Sequence, residues 1–127
     1  MDTTTNVLNW FEISVTDLAR AKKFYEEVFA VKLDEMEMMG MKMASFPYDP
    51  TGGKLSGGLV ESAYHKPSMD GVKVYFNCNP DLSVALGKVE AAGGKVMMPK
   101  TKISDDIGYM AGFVDTEGNA VCMHSNG

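Results

Sequence analysis

Trp10-Phe11-Glu12-Ile13-Ser14-Val15-Thr16-Asp17-Leu18-Ala19-Arg20-Ala21-Lys22-Lys23-Phe24-Tyr25 changes its hydrophobic period part-way along. From Val7 to Ser14, β-branched and aromatic residues nearly alternate with polar ones, the pattern of a half-buried strand. Thr16 or Asp17 can then accept hydrogen bonds from the free amides of a helix, and Leu18, Ala21, Tyr25 and Val28 recur on one helical face. The spacing predicts a helix from about Leu18 to Phe29. Beyond it, Lys32 to Met39 and Met41 to Pro47 read as two strands hinged near Gly40. Asp49-Pro50-Thr51-Gly52 has the proline and glycine of a turn, leading into a fourth strand at about Leu55 to Glu61. The order is strand, helix, three strands.

That order is written twice. Asp17, Leu18 and Ala21 are echoed 64 residues later by Asp81, Leu82 and Ala85, and Asp49-Pro50-Thr51-Gly52 is echoed 66 residues later by Asp115-Thr116-Glu117-Gly118. A period this long fits a supersecondary unit of one helix and several strands. In the second copy, Val72 to Cys78 is the strand, and Leu82, Ala85, Leu86, Val89 and Ala92 line a helix ended by Gly93-Gly94. Lys95 to Pro99, Gly108 to Asp115 and Asn119 to His124 are the remaining strands. The expectation is an α+β fold of two tandem βαβββ modules, about 6–61 and 72–125, joined by the polar linker 62–71 in one domain, 1–127. Facing modules would form a cupped, barrel-like mixed sheet with helices outside.

With 127 residues, 45% hydrophobic and 23% charged, the chain can bury one core of ordinary size. Its net charge of -5 argues against a nucleic-acid surface and leans toward a neutral or cationic ligand. No apolar run approaches the roughly 20 residues that cross a bilayer, and Met1 to Asn6 does not resemble a secretion signal, so a cytoplasmic protein without a membrane partner is expected. Cys78 and Cys122 both fall in predicted strands and read as small buried thiols. Met36, Met38, Met39, Met41 and Met43 crowd one hairpin, as core filler or, alternatively, as an adaptable pocket lining.

The Trp10–Tyr25 run, the Gly93-Gly94-Lys95-Val96 segment and the ending Phe113-Val114-Asp115-Thr116-Glu117-Gly118-Asn119 resemble the vicinal oxygen chelate superfamily, which includes glyoxalase I, extradiol dioxygenases and bleomycin resistance proteins. The resemblance covers essentially the whole chain. It implies a homodimer and, in the enzymes, a divalent metal held by His, Glu or Gln on the first and last strands of each module. Carried onto this sequence, those positions fall on Trp10, on Lys73, on Cys122 and in the Ser56 to Glu61 region. Indole and ammonium groups cannot ligate, so no metal is expected in the usual place and no cofactor is implied. A displaced set of Glu12, Cys122 and His124 is the alternative.

Strand parity turns Trp10, Glu12 and Ser14 toward the cup, with Lys73, Tyr75 and Asn77 opposite. Trp10, Glu12, Lys73, Tyr75, Asn77 and Cys122 are therefore the candidate ligand-binding residues. Glu12 is the candidate catalytic base, desolvated beside Trp10, or an ion-pair partner of Lys73 across the cavity. His65, in the linker, reads as a surface residue. The expected function is capture of a small organic molecule. The alternative is a lyase, isomerase or dioxygenase related to lactoylglutathione lyase, using the displaced metal or Glu12 alone.

Overall fold

The computed structural model describes residues 1–127. Strand β1 (Trp10–Ser14), helix α1 (Leu18–Phe29) and strands β2 (Asp34–Met38), β3 (Met41–Ser45) and β4 (Ser56–Glu61) make the first module. Strand β5 (Tyr75–Asn77), helix α2 (Ser83–Leu86) and strands β6 (Lys95–Ser104), β7 (Gly108–Val114) and β8 (Ala120–Ser125) make the second. Each module builds one four-stranded mixed sheet, ordered β1-β4-β3-β2 and β5-β8-β7-β6. The first strand pairs in parallel with the last, which returns through an antiparallel hairpin. The fold is the expected α+β pair of βαβββ modules, with sheets that do not close on themselves.

Helix α1 forms where the periodicity placed it, and side chains accept from the amides at its start. The Asp17 side chain accepts from Arg20 N, Glu61 Oε1 from Leu18 N, and Glu117 Oε1 from the amides of Thr16 and Asp17. Its buried stripe is Leu18, Ala21, Phe24, Tyr25 and Val28. This stripe meets both modules. Tyr25 lies edge-on to Phe46 with centroids 5.7 Å apart, and reaches Phe76 at 5.9 Å and Phe113 at 6.4 Å. The Tyr25 hydroxyl donates to the buried Asp115 at 2.7 Å. One core of 18 buried residues therefore draws on both sheets, and Trp10, Glu12 and Ser14 lie on the face of β1 turned away from it.

The second helix is shorter than expected. Only Ser83–Leu86 is α-helical, and the chain continues in tighter turns with Lys88 N bonded to Ala85 O and Gly93 N to Glu90 O. Its N-cap residue is Leu82, whose side chain cannot cap, and Gly87 interrupts its middle at a cost of about 1 kcal/mol relative to alanine. Leu82, Ala85 and Val89 are buried all the same. Strand β6 runs on to Ser104, past the predicted end at Pro99, through three register irregularities against β7.

The methionine hairpin is a correction. Met43 is 3% exposed, but Met36, Met38 and Met39 are 38%, 51% and 90% exposed and fill no core. Register places Met36 beside Met43 and Met38 beside Met41, on the sheet face away from α1, and β2 is an edge strand. Met39 and Gly40 both take positive φ, 53° and 77°, which makes the tight turn.

Candidate functional site

The first strands of the two modules approach each other at the seam between the sheets. Phe11 of β1 and Phe76 of β5 meet edge to face with centroids 5.8 Å apart, and Phe29 lies over Phe76 at 4.6 Å. Around this aromatic seam opens a cavity of about 980 Å³, lined by 33 residues of which 19 are hydrophobic. Its size and predominantly apolar wall suit a small organic molecule. Its walls are β1, the end of α1, the segment from Gly71 to Asp81, the start of α2, and Asn119 to Val121.

Five of the six candidate binding residues line this cavity: Trp10, Glu12, Lys73, Tyr75 and Asn77. Cys122 lies outside its wall but sits directly beside Tyr75 in the β5–β8 register, and its proximity, followed by burial, raises the Tyr75 hydroxyl pKa. Trp10 makes an edge contact with Tyr48, centroids 5.6 Å apart. Lys73 Nζ donates to the Met69 carbonyl.

Glu12 and Lys73 do not pair. Glu12 Oε1 is instead 2.9 Å from His65 Nε2, and His65 Nδ1 is 2.7 Å from Ser62 Oγ, which also accepts from Tyr64 N. An ionised carboxylate only accepts, so neutral His65 carries its proton on Nε2, and the Ser62 hydroxyl donates to Nδ1. His65 is thus no free surface residue, its side chain being 20% exposed and bonded at both nitrogens. Sequence reasoning missed it as a partner of Glu12. The local signal was the Ser62-x-x-His65 spacing, while the partnership with Glu12 spans 53 positions.

The linker is tied to both modules. His65 binds β1 through Glu12, and Ser68 N donates to Asn119 Oδ1, while Asn119 Nδ2 donates to the Ser14 carbonyl. At the far end of the cavity, Lys100 and the Ser83 amide hold Asp81 down to about 2.

A divalent metal does not fit these residues. No three His, Cys, Asp or Glu side chains come together, so Glu12, Cys122 and His124 do not form the displaced set. His124 Nε2 is bonded to the Ile107 carbonyl at 2.7 Å. Glu61 accepts from Leu18 N, and Ser56 Oγ donates to the Pro47 carbonyl, so both candidates on β4 are engaged in the fold itself.

Two βαβββ modules with an aromatic cavity at their seam define a class of small paired-module proteins. Residues 7–123 match the model of the Glyoxalase/Bleomycin resistance protein/Dioxygenase superfamily, and the chain belongs to that family. It is 30% identical over 122 residues to the protein named "Putative glyoxylase CFP32" of Mycobacterium bovis, covering 89% of this chain and 43% of that protein. The chain thus spans less than half the length of the curated relatives it matches. Among solved structures, glyoxalase I from Zea mays aligns with a TM-score of 0.70 at 22% identity, over 94% of this chain and 46% of that one. TnmS3, an antibiotic binding protein from Streptomyces sp. CB03234, aligns at 0.67 and 20% identity over 98% of both chains. These two likenesses concern the fold.

Proposed function

We propose that this protein binds a small organic molecule in the seam cavity, in the manner of the binding members of its superfamily and without the usual catalytic metal. The observation that carries this reading is the predominantly apolar cavity of about 980 Å³, with Trp10, Glu12, Lys73, Tyr75 and Asn77 among its lining. The antibiotic-binding neighbour of nearly equal length supports it. The chemistry of the donor set supports the metal-free form, because indole and ammonium occupy two of the positions that ligate in metal-dependent relatives. Thermal shift on dialysed protein against a broad panel of aromatic and thioether-compatible molecules tests the reading. A ligand at 100 times its Kd adds about 2.7 kcal/mol and raises Tm by several degrees. No stabilisation by any member of the panel would refute it.

A second reading is catalytic, with Glu12 as general base for an acidic carbon proton in a lyase- or isomerase-like reaction. It is favoured by the 2.9 Å contact through which His65 fixes Glu12 at the cavity wall. Turnover that disappears in Glu12→Gln while ligand affinity persists would establish it over simple capture.

The protein also acts, in this proposal, as a cytoplasmic homodimer. No helix is long and apolar enough to cross a membrane. Met36, Met38, Tyr75 and Met98 are each more than a third exposed, apolar side chains that a second copy would cover. Sedimentation equilibrium giving a monomer at micromolar concentration would remove the homodimer.

A further inference from the structure

Charge around the cavity is unequally committed. Two carboxylates line it: Asp81 is ion-paired with Lys100 at 2.9 Å, and Glu12 accepts a hydrogen bond from neutral His65 at 2.9 Å and keeps its charge. Three lysines line it as well, Lys66, Lys73 and Lys88. None of them takes part in an ion pair, and the only acceptor of Lys73 is the main-chain carbonyl of Met69. The chain as a whole carries -5, yet the unpaired charge at the cavity is positive. Exposed charges further away than about 8 Å are largely screened at physiological salt, so the local balance governs what enters.

The body of the cavity wants something different from its rim. Phe11, Phe29, Phe46, Phe76 and Trp10 offer ring faces and edges to an apolar body, and the three lysines outnumber Glu12, the one lining carboxylate without a lysine or arginine partner.

From these observations we infer that the ligand is an apolar, aromatic-sized molecule bearing an anionic group, a carboxylate or comparable oxyanion, received by Lys66, Lys73 and Lys88. This reverses the lean toward cationic ligands that whole-chain charge gives, and it rests on the reading of the cavity as a binding site. The body buries against the rings, and the anion stays at the wetted rim, where flexible ammonium groups reach it without being desolvated themselves.

Isothermal titration calorimetry with three matched probes tests it: 1-naphthylacetate, its neutral amide and 2-(1-naphthyl)ethylammonium. The acetate binds about ten-fold more tightly than the ammonium at low salt, and the difference shrinks as NaCl is raised. Replacing the three lysines together, K66Q, K73Q and K88Q, brings the ratio of acetate to amide affinity to about one. Equal affinities, a reversed order, or a preference that survives the triple replacement would overturn the inference. If no naphthyl probe binds while other apolar molecules stabilise the protein, the anion preference falls and the binding site stands. If nothing in the wider panel binds, both fall together.

Discussion

Replacing Glu117 with glutamine tests how the two modules are locked together. The Glu117 side chain is fully buried, and its carboxylate accepts from the amides of Thr16 and Asp17, the Thr16 hydroxyl and the Arg20 guanidinium. A residue of the second module thereby caps the helix of the first. Burial by itself would raise its pKa, but Arg20 and the Asp17 and Thr16 amides outweigh burial and bring it from 4.5 to about 2. That difference corresponds to about 3 kcal/mol of preference for the charged form in the folded chain. Arg20 is 51% exposed and partly screened, so about 2 kcal/mol is the effective contribution. Because the folded value is depressed, this stability is present above pH 4.5 and is lost as pH falls toward 2. E117Q keeps the shape and one acceptor, and is expected to lower Tm at pH 7 by about 6–10 °C. At pH 2.5 the two proteins should lie much closer. Urea unfolding followed by circular dichroism at both pH values measures the gap, and either equal midpoints at pH 7 or an undiminished gap at pH 2.5 would refute the reasoning.

Other predictions concern single positions. Tyr25→Phe removes the one hydroxyl donor to buried Asp115, and should cost about 1.5–3 kcal/mol in chemical denaturation, with loss below 0.5 kcal/mol telling against the bond. Met39→Asn places a residue tolerant of positive φ in the two-residue turn and should gain about 0.5–1 kcal/mol, read as a higher Tm. Burial pushes the Cys78 thiol up to about 11, so iodoacetamide at pH 8 should alkylate it far more slowly than a free thiol, as followed by mass spectrometry.

Local signals carried most of the fold. Helix α1 was legible to its last residue because the apolar stripe, the Asp17 cap and the following strand signals agree. Helix α2 was overextended because the stripe of Leu82, Ala85 and Val89 persists through turns that Gly87 keeps from being α-helical. The methionines were misplaced because period and composition say which face a side chain takes, not whether anything covers that face. At the cavity, alternation along β1 found Trp10 and Glu12. The partner of Glu12 was hidden, since the path of the linker brings His65 back across the sheet, and nothing local encodes that path. Lys73 was read as a counter-charge because its parity is right, but its ammonium is turned to the Met69 carbonyl.

Trp10 is the only tryptophan in the chain, and it stands in the cavity wall with its ring edge against Tyr48. Its emission therefore reports on one place alone. An occupant that displaces water from the indole would shift that light to shorter wavelength, so the protein carries its own optical gauge of filling, readable without a label.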